Sequence, residues 1–186
     1  MSTLEVKAIQ APTGYKLAMP AGHIIQTVNS VIDTFNTTTS SSFVASDITA
    51  SITPSSASSK ILVRMNVYMV GSQGAFNIGR LYRGIGGSFS EITGANATHS
   101  VSVHGTGNSG FITSVYNPQD THHNHFYTTE SGEYLDSPNT TSAVTYTLYY
   151  KARAGNTAYI NRSSGGTGSD HHSHGISSVT LMEVAG

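Results

Sequence analysis

The chain has 186 residues, no Cys, nine Lys and Arg, 10% charged residues and a formal net charge of −1. This length fits one domain that buries most of its apolar surface, so folding needs neither a disulfide nor a metal. The absence of Cys excludes disulfides and cysteine-based zinc sites, and the few scattered cations disfavour nucleic acid and anionic membranes as partners, because both require clustered positive charge.

Residues 1–22 are predicted to form an extended N-terminal attachment arm that precedes one domain, residues 23–186. The segment alternates only briefly before Pro12, Gly14 and Pro20 interrupt it, and we expect it to pair with its own domain or with a neighbouring chain. The first twenty residues lack the apolar core of a signal peptide, and no run of eighteen apolar residues occurs. Secretion by signal peptide and membrane spanning are therefore disfavoured.

The first part of the domain is predicted to form strands that are separated by polar turns. Residues 23–35 are rich in β-branched side chains, residues 36–42 form a polar spacer, and residues 43–52 alternate again. After a turn at residues 54–59, a strict period of two over residues 61–71 predicts a long central strand. Five apolar residues share one face of this strand: Ile61, Val63, Met65, Val67 and Met69.

The middle of the chain is punctuated by glycine and contains shorter elements. Residues 76–80 are predicted to return beside the central strand as its hairpin partner, and residues 81–87 to turn again. Short strands are expected around residues 89–92, 99–104 and 111–116, where apolar residues alternate between polar turns.

The last third contains a second long strand. Residues 118–138 are expected to be largely irregular, whereas residues 142–153 alternate strongly and are rich in aromatic and β-branched side chains. Gly155 and Asn156 predict a tight turn into a hairpin partner at residues 157–161, and residues 176–186 supply a closing apolar segment. Frequent turns without a convincing helix predict an all-β, antiparallel, jelly-roll-like β-sandwich.

Four stretches of the sequence resemble a known family. They are MPAGHIIQTV (19–28), SITPSSASSKILV (51–63), LDSPNTTSAVTYTLYYKA (135–152) and ISSVTLMEVAG (176–186). They are similar to the C-terminal domain of tail-fibre and related structural proteins of tailed bacteriophages, especially phages of marine bacteria and cyanobacteria.

The resemblance implies a non-enzymatic virion protein that is assembled in the host cytoplasm as a homotrimer. Residues 1–22 would contact other virion proteins, and the displayed loops would bind a host-surface glycan. In that family the domain often ends a much longer fibre, whereas here only the short arm precedes it. The alternative is therefore a trimeric capsid decoration or cement protein that attaches through this arm. A secreted sugar-hydrolysing or lectin-like domain is disfavoured, because acidic residues are sparse and no signal peptide is recognised.

Two histidine clusters are candidate metal ligands. Residues two apart on an extended backbone point to the same side, so His123 with His125, or His172 with His174, would present two imidazoles to one ion. Three chains meeting on an axis would supply six nitrogens, a cage that suits a transition metal, and the resemblance to trimeric phage fibres favours such an axial site. The alternative is that both clusters lie in solvated loops as pH-sensitive histidines. No cofactor is required in either case.

The acidic residues give little support to an enzyme. Glu130, Glu133 and Asp136 are the only local acidic group, and their glycine-containing spacing suggests a loop rather than the paired carboxylates of a glycosidase. No nucleophile elbow, zinc-protease motif or phosphate-binding loop occurs. The sequence therefore predicts no catalytic residue.

Tyrosines are the candidate receptor contacts, because rigid amphipathic rings give contact area at a low cost in conformational entropy. Tyr116, Tyr127 and Tyr134 are expected to lie in loops and to face a receptor. Tyr146 and Tyr149 are instead expected to pack against neighbouring strands, as aromatic residues in a sandwich strand do.

Overall fold

A computed structural model describes residues 19–72, 77–97, 109–114, 128–163 and 174–186. These residues form eleven β-strands and one short 3₁₀ turn, arranged as two antiparallel sheets that enclose one apolar core. The predicted antiparallel β-sandwich is confirmed. Within the described ranges, no helix is long and apolar enough to cross a membrane.

Six strands form the first sheet and five form the second. The first sheet contains β1 (Ile24–Ile32), β2 (Asn36–Thr38), β4 (Lys60–Gly71), β8 (Thr128–Asp136), β10 (Ala158–Ile160) and β11 (Ser177–Val184). The second sheet contains β3 (Val44–Ile52), β5 (Ile78–Ile85), β6 (Ser88–Glu91), β7 (Ile112–Thr113) and β9 (Val144–Lys151).

Strand β4 is the centre of the first sheet, as its alternating pattern predicts. On one edge it pairs with β11 along residues 60–66 and with β10 along residues 69–71, and on the other edge β8 follows residues 61–69. All five residues predicted for its inner face are fully buried: Ile61, Val63, Met65, Val67 and Met69.

The inner face of the second sheet is apolar like that of the first, and strand β9 supplies much of it. Val144, Tyr146 and Leu148 on β9 are fully buried, together with Leu81 on β5 and Ile48 on β3. The expectation that Tyr146 packs inside the sandwich is confirmed. The apolar faces of the two long strands therefore meet across the core.

Both predicted hairpins around the long strands are wrong. Strand β5 does not return beside β4 but lies in the second sheet next to β9. Strand β10 follows the turn at Gly155 and Asn156, yet it pairs with β4 and β2 in the first sheet rather than with β9. A period of two defines which residues face the core, but both sheets face the same core, so the pattern does not identify the hydrogen-bonded neighbour.

Three predicted loops contain strands. Residues 81–85 continue β5, and the turn comes only at Gly86 and Gly87, which both have positive φ angles. Residues 36–38 of the polar spacer form β2, which pairs with β10. Residues 128–136 of the expected irregular region form β8, a nine-residue strand that carries polar residues on both faces. Strands β2 and β8 contain few apolar side chains, so the hydrophobic pattern misses them.

Asn161, at the end of β10, connects three other strands of the first sheet, β1, β4 and β11, through hydrogen bonds. Its backbone is left-handed, with φ of 63°, and its side chain is fully buried. The amide nitrogen donates to the carbonyl oxygens of Ile32 and Thr34 at 2.9 and 3.0 Å, and the amide oxygen accepts from the Ser177 hydroxyl at 2.5 Å. The same hydroxyl oxygen accepts from the backbone N–H of Tyr68 on β4 at 3.0 Å.

A buried carboxylate at the end of β8 links the two sheets. Nη1 of Arg83, on β5, donates to both oxygens of Asp136 at 3.0 Å, and the Tyr146 hydroxyl donates to Oδ2 at 2.7 Å. Burial raises the pKa of Tyr146, and the hydrogen bond and negative charge of Asp136 raise it further. The first sheet is thus bonded to two strands of the second.

A second buried carboxylate, Glu183 on β11, anchors the turn before β4. It accepts the backbone N–H and the hydroxyl of Ser55, both at 2.7 Å, and the side-chain amide of Gln26 at 2.6 Å. Burial alone would raise the pKa of Glu183, but the hydrogen bonds from Ser55 and Gln26 outweigh it and lower the pKa to about 2. Glu183 therefore holds β1, β11 and the turn together as an anion.

Candidate receptor-binding surface

The outer face of the second sheet carries a cluster of aromatic rings. Phe43 precedes β3, Tyr82 lies on β5, Phe89 on β6 and Tyr149 on β9. We call these four residues the aromatic face. The strand register places Tyr149 opposite Arg80 and Tyr82 opposite Thr147, so alternate residues of β5 and β9 point outward together.

Two tyrosines of the aromatic face stack on each other. The ring centroids of Tyr82 and Tyr149 lie 3.9 Å apart with an interplanar angle of 21°, and Phe89 lies 6.3 Å from Tyr149. Phe89 is 43% exposed and lies over Gly84, where a Cβ atom would come within 2.6 Å of its ring. Glycine at this position therefore lets the ring lie close to the sheet.

A charged pair borders the stacked rings. Nη1 of Arg80 lies 3.1 Å from both oxygens of Glu91, and the Asn96 amide donates to Glu91 at 2.7 Å. The Tyr82 hydroxyl donates to the same carboxylate at 3.4 Å. Burial raises the pKa of Tyr82, and the charge of Glu91 raises it further. The hydroxyl is thus held as a donor beside a fixed guanidinium.

Two cations lie over Phe43 at the other end of the aromatic face. Arg80 Cζ is 4.4 Å and Lys151 Nζ is 5.0 Å from the centroid of its ring. Burial lowers the pKa of Lys151, and the positive charge of Arg80 lowers it further. The ring quadrupole attracts both cations and so keeps them together.

Hydroxyl pairs between β3 and β9 complete the outer face. The hydroxyls of Thr49 and Thr147 lie 2.8 Å apart, and those of Ser51 and Thr145 lie 2.7 Å apart. Rings, charged groups and hydroxyls therefore occupy one rigid sheet surface. Such a surface can stack against the apolar face of a sugar ring and hydrogen-bond to its hydroxyls.

The tyrosines predicted as receptor contacts do not lie on this face. Tyr116 and Tyr127 fall outside the described residues. Tyr134 lies in strand β8 rather than in a loop, and its half-buried ring packs against the core, with its hydroxyl close to Gly94. The loop placement of Tyr134 is therefore wrong, because β8 begins at Thr128 and includes it. The receptor role of all three tyrosines stays a prediction.

One of the four candidate metal ligands lies in the described part of the chain. His123, His125 and His172 fall outside it. His174 is exposed and stacks on Phe35, with ring centroids 4.9 Å apart. Among the described residues, no group of three or more His, Cys, Asp or Glu is placed to hold a metal ion. An axial metal site stays a prediction.

The acidic group at residues 130–136 lies on a strand, not in a loop. Glu133 faces outward and contacts Arg64 at 4.0 Å, whereas Asp136 faces inward and is bonded to Arg83 and Tyr146. The loop expectation for these acids is wrong because β8 continues through them to Asp136. Glu133 and Asp136 therefore do not form a carboxylate pair on one side of a cleft.

Tyr82 was missed because residues 81–87 were predicted to turn, and Phe89, although in a predicted strand, was assigned no partner strand. A signal for them is present around the two glycines at positions 86 and 87. Arg80 and Tyr82 precede this turn at a spacing of two, and Phe89 and Glu91 follow it at the same spacing. Alternation on both sides of a Gly-Gly pair is typical of a β-hairpin, which is how β5 and β6 pair.

The chain matches no protein-family model and no curated protein. The likeness to tail-fibre domains therefore rests on the four stretches given above. The aromatic face is assigned on its own geometry and chemistry.

Proposed function

We propose that this protein is a non-enzymatic structural component of a tailed-phage virion. It is a tail-fibre-like module, assembled as a homotrimer, displayed on the particle and able to bind a glycan on the host surface.

The proposal is supported by the way the four family-like stretches fold together. They supply the first half of β1, the end of β3, the turn at residues 54–59 with the start of β4, the end of β8, and all of β9 and β11. Glu183, in the last stretch, accepts hydrogen bonds from Gln26 and Ser55 in the first two. Asp136 accepts one from Tyr146 within the third. The resemblance thus covers residues that contact one another in the folded domain.

The aromatic face supplies the surface for host recognition. Its stacked tyrosines and Phe89 are presented on a sheet rather than on loops, so little conformational entropy is lost on binding. Arg80, Glu91 and the hydroxyl pairs supply donors and acceptors around the rings. A neutral or weakly acidic surface glycan fits this combination of rings, cations and hydroxyls.

Binding of the purified protein to marine bacterial and cyanobacterial cells, and to an array of bacterial surface glycans, tests the proposal. We expect Tyr82→Ala to weaken binding about tenfold, the effect of losing about 1.4 kcal/mol of aromatic contact. The matched control is Tyr159→Ala on β10, a half-buried tyrosine of the other sheet. Absence of binding to every cell and glycan, or an equal loss in the control, would contradict the proposal.

The second candidate is a capsid decoration protein, favoured by the position of the arm. The backbone N–H of Gly22 donates to Ala185, and that of Ala185 donates to His23, both at 2.8 Å. Residues 19–22 therefore leave the sandwich beside β11 at a fixed place, as an attachment arm requires. This candidate predicts capsid binding that disappears on deletion of residues 1–18 and survives Tyr82→Ala.

A further inference from the structure

Strand β1 has one edge that no described strand covers. It pairs with β11 along one side, and among the described residues no other strand hydrogen-bonds to its backbone. A nine-residue edge presents a row of unpaired backbone donors and acceptors. Such an edge is a template for another strand unless it is protected.

In the part of the chain that the structure describes, the other two long edges carry features that protect them, and β1 does not. Strand β3 has a register irregularity between Ala45 and Thr49 and carries Asp47 there. Strand β8 carries Glu130 and Glu133. These bulges and charges are the usual devices that prevent pairing of edges. Strand β1 contains no charged residue and no proline, and its register irregularity is confined to its first residues.

The sequence of β1 is chemically symmetric about Val28. Residues at equal distances on either side match in kind as far as the register irregularity at its start: Thr27 with Asn29, Gln26 with Ser30, and Ile25 with Val31. An antiparallel pair of identical strands places such residues directly opposite one another around a two-fold axis.

We propose that β1 pairs with β1 of a second copy of this chain, antiparallel, with Val28 on the two-fold axis. The first sheets of the two copies then continue as one sheet. Residues 25–31 of each strand then meet chemically matched residues of the other, and no charged residues of β1 face each other.

The outer face of this contact buries apolar surface that is exposed in one copy. Ile25 is 39% and Val31 is 62% exposed. The proposed register sets Ile25 of each copy opposite Val31 of the other, so the contact contains two such pairs. Cross-strand apolar pairs of this kind stabilise a sheet, because their side chains lie within contact distance.

The chains of the proposed trimer are related by a three-fold axis, whereas the β1–β1 contact has a two-fold axis. This contact is therefore distinct from the trimer interface. If the chain forms no trimer, the contact joins two single chains; if it does, the contact joins chains that belong to different trimers. The proposal thus requires an even number of 19.6 kDa chains in solution.

Single cysteine substitutions in the full-length protein test the register, because the natural sequence contains no cysteine. Directly opposed residues have Cα atoms about 4.5–5.5 Å apart, within the range for a disulfide. Val28→Cys should form a disulfide-linked dimer on mild oxidation. Mixing Thr27→Cys with Asn29→Cys should give more cross-linked dimer than either variant alone. Thr129→Cys, on the edge strand β8, is the control and should stay largely unlinked.

Light-scattering mass supplies an independent readout. Val31→Lys should raise the dissociation constant of the two-fold contact at least about tenfold, because both apolar pairs are lost and two charges are introduced. Leu135→Lys, an exposed apolar position on β8, should leave it unchanged. A monomer or a trimer of wild-type chains, or no cross-linking at position 28, would overturn the proposal.

Discussion

Asp136 and Glu183 are both buried carboxylates, but the fold stabilises their charges by different means. Asp136 is paired with a cation, since Arg83 donates to both of its oxygens, and it also accepts from Tyr146. Glu183 accepts hydrogen bonds only from neutral groups among the described residues, namely the Ser55 N–H and hydroxyl and the Gln26 amide.

The difference determines how each site responds to change. An ion pair that loses one member leaves the other charge without compensation, so its removal is strongly destabilising. An anion that is held by neutral donors leaves no charge behind when it is protonated, but its donors lose a strong acceptor. Asp136 should therefore be the more sensitive to substitution, and Glu183 should make the larger contribution to the pH dependence of stability.

The largest effect is expected from Asp136→Ala. Arg83 loses its partner and the buried Tyr146 hydroxyl loses its acceptor, so we expect the free energy of unfolding to fall by about 4 kcal/mol. Urea denaturation followed by fluorescence measures this. Glu133→Ala is the control, because its contact with Arg64 is exposed at 56% on both sides and should contribute no more than about 0.5 kcal/mol. Similar losses in both variants would contradict the role of Asp136.

An effect of intermediate size is expected from acid. The pKa of Glu183 is about 2 in the folded chain and 4.5 ordinarily, so the folded state binds this proton less readily than the unfolded state does. The stabilisation is complete above about pH 5 and is lost as the pH falls towards 2. It amounts to about 3 kcal/mol. Denaturation curves measured between pH 6 and pH 2.5 should show this decline.

Glu183→Gln separates this contribution from that of other acids. The variant cannot lose a charge at this position, so its stability should decline less steeply between pH 5 and 2.5 than that of the wild type. At pH 7 it should be less stable, because its amide nitrogen would meet donors from Ser55 or Gln26. Parallel pH profiles for the two proteins would show that Glu183 is not the titrating group.

The smallest effect is expected from Tyr146→Phe. The substitution removes one hydrogen bond to Asp136 but leaves the bidentate Arg83 contact and the packing of the ring. We expect a loss of about 1 kcal/mol in the same urea experiment. A loss as large as that of Asp136→Ala would mean that Tyr146, and not Arg83, is the main partner of the carboxylate.

The core of the sandwich was predictable from the sequence, and the strand order was not. The alternation of residues 61–69 identified five buried side chains of β4, because only one face of a strand can reach the core. The same pattern did not place β5 and β10, since strands of either sheet contribute to the same core and partner choice depends on tertiary packing.

The candidate site was less predictable than the core. Tyr134 was expected in a loop because the sequence around it is polar, and β8 contains few apolar residues. Tyr82 was missed because the glycine turn between β5 and β6 was predicted to begin at residue 81, and Phe89 because its predicted strand had no predicted partner. Arg80, Tyr82 and Glu91 come together only through cross-strand register, which a single sequence does not specify.

The pairing of β1 with β11 has a consequence for synthesis of the chain on the ribosome. Ile32 of β1 pairs in register with Ser177 of β11, so among the described strands β1 has no partner in the first sheet until β11 has been translated. At 5–20 residues per second this delay is roughly 7–30 s. During that time β1, which carries no charged residue, lacks this partner on the nascent chain. Slow translation or crowded polysomes should therefore favour aggregation through β1, and chaperone capture of nascent chains should raise the yield of folded protein.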